Sequence, residues 1–202
     1  MIFNFFKSAF NSERKLSKEG PAPNLNFTDV RDTLFREIHS TRKWNQRNLN
    51  TIKKIIVHHS AELCAEGEGL QKIKEITKYD ISPGNHISPN GCPGIVYHWM
   101  IDRDGYIYKT SDQANITWHC KGQNRVGVGI CLLGNFVKEK SHFILGQQVP
   151  AQIQLTSLDM LLYYLADRLN LRKQDIFAHR EYCNTICPGL DVYNYIKRRR
   201  TV

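Results

Sequence analysis

The sequence has no apolar run near the roughly 18–20 residues that a bilayer-spanning helix needs, so no membrane-spanning helix is expected and a soluble protein is. The opening Met1-Ile2-Phe3-Asn4-Phe5-Phe6 is apolar but short, has no basic residues before it and leads to no small-residue cleavage site, so a standard signal peptide is not expected either. Cys64, Cys92, Cys120, Cys131, Cys183 and Cys187 are too few and too irregularly spaced for a disulfide scaffold, which makes metal ligation the better question. Acidic residues are in deficit: 19 Asp and Glu against 28 Lys and Arg leave a formal charge of +9, which favours anionic polymers such as nucleic acid, teichoic acids or a cell envelope. Exposed aromatics interleaved with base-reading cations are missing, and Lys197-Arg198-Arg199-Arg200 reads as a solvated helix end, so no specific nucleic-acid partner is expected. There is no internal repeat.

What is present suits one domain, since 202 residues with 41% hydrophobic content can bury a sizeable core. Residues 1–25 combine an aromatic patch, a polar and charged stretch and Gly20-Pro21-Ala22-Pro23; they read as an N-terminal extension and linker, either a tail or a docking segment for a virion or other partner. Residues 26–202 form the domain. Phe27 to Ile38 suggests a short helix, and the β-branched Ile55-Ile56-Val57 a strand over Ile52 to His59. Helical spacing of Leu70, Ile73 and Ile76 predicts a helix over Leu70 to Tyr79, followed by a Pro- and Gly-rich loop from Ile81 to Gly94. Strands over Gly94 to Ile101 and Tyr106 to Lys109 flank the turn Asp102-Arg103-Asp104-Gly105, and a further strand runs over Val126 to Gly134. Leu155, Leu158, Leu162, Leu165 and Leu169 stripe an amphipathic helix capped by Thr156 or Ser157. A short strand over Ile176 to Ala178 and a helix over Val192 to Arg199 close the chain. The order predicts an α/β fold: a central mixed sheet flanked by helices, with the chemistry at the strand ends.

Three segments carry that chemistry: Val57-His58-His59-Ser60, Val96-Tyr97-His98-Trp99, and the block from His179 to Gly189. Zinc accepts imidazole nitrogen and thiolate sulfur, and a catalytic site uses three protein ligands with a fourth position left for water. His58, His179 and Cys187 supply such a set, but Cys183, four residues after His179, competes with Cys187. The residues alone leave that choice open.

Taken together, the motifs resemble the type 2 N-acetylmuramoyl-L-alanine amidases, which include amidase-type phage lysozymes and peptidoglycan recognition proteins. The resemblance covers about residues 50–195 and runs through Ile55-Ile56-Val57-His58-His59-Ser60-Ala61, Gly94-Ile95-Val96-Tyr97-His98, Asp102-Arg103-Asp104-Gly105, His119-Cys120-Lys121-Gly122, Gly127 to Gly134 and the block from His179 to Cys187-Pro188-Gly189. It implies one zinc ion per chain on His58, His179 and Cys187, with Cys183 a bystander, and catalytic roles for Tyr97, with Thr185 beside it, in stabilising the oxyanion or positioning the water. Cys131 stands where the family's cytosolic recycling branch has a catalytic Glu, which places the chain with the tyrosine-dependent branch. His119, His98 and Tyr97 are candidates to relay a proton to the leaving amine. His59, His98, His119 and Asn124 are candidate substrate contacts, with Trp118 and Trp99 as groove walls, although strand alternation also allows Trp99 a core position. Cys64, Cys92, Cys120 and Cys131 read as buried small hydrophobes, Cys64 and Cys92 being able to bridge in an oxidising compartment.

The activity implied is hydrolysis of the amide between the muramoyl lactyl group and L-alanine in peptidoglycan, by a monomeric phage or prophage lytic enzyme. Such an enzyme waits in the host cytoplasm or on the phage particle and then acts on the cell wall. The alternative is a non-catalytic peptidoglycan-binding recognition module. Relatives of that kind have lost the cysteine ligand, whereas Cys187 is kept here. A zinc-stabilised nucleic-acid-binding protein is the third reading.

Overall fold

A computed structural model of the chain describes residues 24–35, 42–137 and 146–201; the N-terminal extension up to residue 23 lies outside them. Among the described residues the strands are β1 (Thr28–Asp29), β2 (Lys54–His59), β3 (Trp99–Ile101), β4 (Ile107–Lys109), β5 (Gly127–Leu132) and β6 (Ile176–Ala178), and the α-helices are α1 (Gly69–Ile81), α2 (Gln152–Arg168) and α3 (Leu190–Thr201). The strands form one mixed sheet in the order β1-β4-β3-β5-β2-β6. Only β3 and β4 pair antiparallel, across the turn at Gly105, whose φ of 83° suits glycine. The other pairings are parallel, so β2, β5 and β6 all end on the same side.

Alternation of side chains splits this sheet into two chemical faces. Ile55 and Val57 of β2, Trp99 and Ile101 of β3, and Val128, Ile130 and Leu132 of β5 pack against Leu158, Leu161, Leu162 and Leu165 of α2 and Val192 and Ile196 of α3. On the opposite face Met100 and Cys131 meet Ile73 and Ile76 of α1. His58 lies opposite Cys131 in the β2–β5 register, two positions beyond the Ile56–Gly129 pair. The hydrophobic layer therefore takes the odd-numbered positions of β2 and leaves its even-numbered ones, Ile56 and His58, to the other face.

Several element boundaries differ from the sequence expectation. Thr28–Asp29 is extended and parallel to β4 rather than helical, and the chain then turns as Val30 O accepts from Thr33 N and Leu34 N; Asp29 holds Arg31 through both backbone and guanidinium, which stabilises the turn. The expected strand from Gly94 begins only at Trp99, because α1 holds the preceding loop: Cys92 N donates to the Asp80 carbonyl at 2.7 Å and Val96 N to the Asp80 carboxylate at 3.1 Å. Helix α2 starts at Gln152, ahead of its expected caps. Gln154 is buried and donates to the carbonyls of Ile101 and Leu133, tying the first turn to the ends of β3 and β5, while Thr156 bonds back to Gln152 O and Ser157 to Gly105 O. Trp99, at 1% exposure, belongs to the core and not to a groove wall. All six cysteines are free, Cys64 and Cys92 among them.

Asp80 is 2% exposed, and burial pushes its carboxyl up to about 7 from 3.8. Between those values the folded protein binds more protons than the unfolded chain, so this group makes stability fall as pH rises from about 4 to about 7. Asp80→Asn keeps an acceptor for Val96 N and removes the charge. Urea unfolding should therefore show a flatter pH profile for the variant across that window, the difference from wild type reaching on the order of 2–4 kcal/mol at the neutral end. Parallel profiles would contradict the assignment.

Candidate functional site

The parallel ends of β2 and β6 place His58 and His179 side by side, their ring centroids 4.4 Å apart. Cys187 comes from the loop that follows β6, and its sulfur lies 3.9 Å from His58 Nδ1. One donor atom each of His58, His179 and Cys187 fall within 4.8 Å of one another. Two imidazoles and a thiol are a donor set suited to zinc.

The tautomer of His58 follows from its neighbours. His119 Nε2 lies 3.3 Å from the carbonyl of Gly127, to which it can only donate. His119 Nδ1 is then an acceptor and takes the hydrogen of His58 Nε2 at 3.1 Å. That leaves the lone pair of His58 on Nδ1, the nitrogen that faces Cys187. A metal-bound histidine ordinarily donates its other ring N–H in this way, so the arrangement fits an ion.

Two glycines make room for the His119 ring. A Cβ on Gly129 would meet His119 Cγ at 2.7 Å, and one on Gly127 would stand 3.4 Å from His119 Cε1 and 3.0 Å from the Gln123 carbonyl. Gly-Val-Gly on β5 thus turns a side-chain ridge into a bed for an imidazole. Burial is the main influence on four of the imidazoles, those of His58, His98, His119 and His179. It brings His179 down to about 4 and His98 to about 3, and it holds His58 and His119 well below the usual histidine range, with neighbouring rings adding to the effect. All are neutral at physiological pH and able to offer a lone pair.

Burial also pushes the Cys187 thiol up to about 12, opposed by the His59 N–H, which donates to its sulfur at 3.4 Å, and by the nearby Arg180 charge. Thr185 Oγ1 accepts from Cys187 N at 3.2 Å, so its hydroxyl hydrogen is directed elsewhere. Tyr97 precedes β3, with its ring 5.2 Å from that of His58. Burial, followed by the two sulfurs of Cys131 and Cys187, keeps its phenol well above the usual tyrosine range.

The remaining sequence candidates are placed differently. His98 is fully buried: its Nδ1 accepts from Gly129 N at 3.0 Å, its Nε2 donates to Asn115 O at 3.0 Å, and the Arg47 guanidinium lies against it at 3.1 Å. It thus cannot touch substrate, contrary to expectation, because both ring nitrogens are committed beneath the surface. His59 is 4% exposed and accepts from Phe136 N through Nδ1, and His119 is 5% exposed. Asn124 spends its side-chain oxygen on Cys120 N at 2.7 Å. Trp118 is half-buried and packs edge-on against Trp44 at 5.3 Å, beside a groove of about 660 Å³ lined in part by Arg42, Trp44 and Asn115.

Two further features had no signal in the sequence. Arg47, expected only as part of a polar lead-in, is buried and donates to the carbonyls of Gln113, Asn124 and Gly127, each at 2.8 Å. Cys120, read as a small hydrophobe, joins Cys183 and His179 in a second close set of donors.

Comparison with known proteins follows the same outline. The family model for N-acetylmuramoyl-L-alanine amidase matches residues 48–190. The endolysin of Escherichia phage T7 is 29% identical over 149 residues, covering 73% of this chain and 87% of its own. Among solved structures, the N-acetylmuramoyl-L-alanine amidase LysC from Clostridium intestinale is 27% identical with a TM-score of 0.60, covering 88% of this chain and 98% of its own. Bumblebee PGRP-SA shares the fold with a TM-score of 0.67 at 21% identity, over 86% of this chain and 94% of its own. With a match across most of its length and the fold to go with it, the chain belongs to the type 2 N-acetylmuramoyl-L-alanine amidase family, whose members include the peptidoglycan recognition proteins.

Proposed function

We propose that this chain is a zinc-dependent amidase that cuts peptidoglycan between the muramoyl lactyl group and L-alanine, acting as a phage or prophage lytic enzyme. The observation that carries the reading is the meeting of His58, His179 and Cys187, with the lone pair of His58 directed toward the sulfur. Likeness to phage endolysins supports the lytic setting. The recognition-module alternative draws on the shared fold of PGRP-SA, but the retained thiol of Cys187 favours catalysis.

When bound, zinc supplies Lewis acidity toward the scissile carbonyl and a water activated near neutral pH. The chain's own groups do the rest. Tyr97, its phenol held protonated by burial, is a hydrogen-bond donor to the oxygen on which charge gathers, and it is no base at neutral pH. Thr185 accepts from backbone with its oxygen and has its hydroxyl hydrogen to give to the same oxygen. Of the three candidates for protonating the departing amine, His98 is sealed in and His119 is engaged at both nitrogens, which leaves Tyr97 to relay to the amine the proton that the attacking water releases. His119 is a positioning residue for His58.

Purified peptidoglycan incubated with the protein should release stem peptides bearing a free L-alanine amine, detected by mass spectrometry. A chelator, or Cys187→Ala, should abolish release; cleavage that survives either treatment would rule out the zinc mechanism. Tyr97→Phe should lower kcat/KM by about 10²–10³ with metal content unaltered, whereas lost metal would make Tyr97 a structural residue. His119→Phe keeps the ring in its glycine bed but deprives His58 Nε2 of its acceptor. Metal affinity measured by competition with a chelator should fall by about 10–100-fold, and an unchanged value would remove His119 from the support of the site.

A further inference from the structure

Cys120 and Cys183 have no part in the hydrolysis described above, yet their sulfurs lie 3.8 Å apart, and both are within 4.8 Å of a ring nitrogen of His179. The backbone holds each in place. Cys120 N donates to Asn124 Oδ1 at 2.7 Å in the turn before β5, and Cys183 N to the His179 carbonyl at 3.2 Å in the turn after β6. Cys120 is buried and Cys183 half-buried.

The separation has a chemical meaning. Two sulfurs on one tetrahedral zinc-like ion, each at about 2.3 Å, stand about 3.8 Å apart, whereas a disulfide requires closure to about 2.05 Å. The pair is thus already spaced as an edge of a thiolate–metal tetrahedron, with an imidazole nearby as a third corner. We propose that Cys120, Cys183 and His179 form a second site, for a soft d10 cation such as Cd²⁺ or Zn²⁺, that shares His179 with the His58–His179–Cys187 set. A neutral imidazole carries hydrogen on one nitrogen and a lone pair on the other, so His179 serves one set at a time. If the proposed hydrolytic centre holds, and this clause alone rests on that reading, an ion on the two-sulfur set withdraws His179 from catalysis and inhibits the enzyme.

The site is tested in a background where the first set has lost its sulfur. Full-length Cys187→Ser protein, reduced and stripped of metal, is titrated with Cd²⁺ while ultraviolet sulfur-to-metal charge-transfer absorbance is followed. Absorbance should rise to a plateau at one ion per chain. Adding Cys183→Ser, at a half-exposed position where packing is little disturbed, should cut the plateau to roughly half or less, since one of two sulfur ligands is gone. Adding Cys120→Ser as well should remove it, with circular dichroism used to confirm that each variant is folded. No absorbance in the Cys187→Ser protein, or a plateau indifferent to Cys183→Ser, would overturn the proposal. Because hydrolysis is not the readout, the two readings fail separately. An inactive wild-type enzyme whose Cys187→Ser form shows the full cadmium response would sink the amidase mechanism alone, and an active one without that response would sink the second site alone.

Discussion

The carbonyl of Gly127 is the junction on which the site depends. It accepts from Arg47 Nη1 at 2.8 Å on one side and from His119 Nε2 at 3.3 Å on the other. A carbonyl oxygen has two lone pairs, and here both are used. The second bond fixes the hydrogen of His119, which fixes that of His58, which decides the nitrogen presented to Cys187. An electrostatic preference at a backbone oxygen is passed through two rings to a position where metal chemistry needs a lone pair. Low polarity strengthens each link, because buried imidazoles resist charging and so hold one tautomer.

The fold supplies that junction by ordinary means. Parallel pairing of β5, β2 and β6 brings three strand ends to one side, and alternation gives one face to aliphatic packing and the other to imidazoles and thiols. Glycine on β5 does what no side chain can, admitting a ring flat against the strand. The liability is a carbonyl-rich floor that must be satisfied by donors from elsewhere. Arg47 meets this need by donating to carbonyl oxygens, with no carboxylate partner among the described residues, and burial brings it down to about 10.

Much of this could be read from local pattern. The β-branched run before His58 announced a strand, the Asp-Gly pair a hairpin, and the leucine stripe a helix, since each depends on neighbours in the chain. Donor chemistry proposed that His58 meets a cysteine, but the choice of Cys187 over Cys183 came from family resemblance, for 129 positions separate His58 from Cys187 and their contact depends on sheet order. His98 was misread because a histidine next to a tyrosine in a functional motif looks the same whether it faces solvent or the protein interior. Cys120 and Cys183, 63 positions apart, lie in two turns whose approach no periodicity encodes. Helix α2 was placed late for a different reason: its first turn is secured by the buried amide of Gln154, which resembles no standard cap.

The shared family segment, residues 48–190, is shorter than the unit whose parts support one another. Arg47 sits just outside its upstream limit, and Val192 and Ile196, both fully buried, sit beyond its downstream one. A fragment trimmed to the family's limits would strand the acceptors that Arg47 serves, each orphaned group costing about 1–3 kcal/mol, and would uncover the aliphatic layer beneath α3. Anyone grafting this domain into a chimera must therefore carry the flanks along, because the stretch that the family model matches is shorter than the unit that packs together.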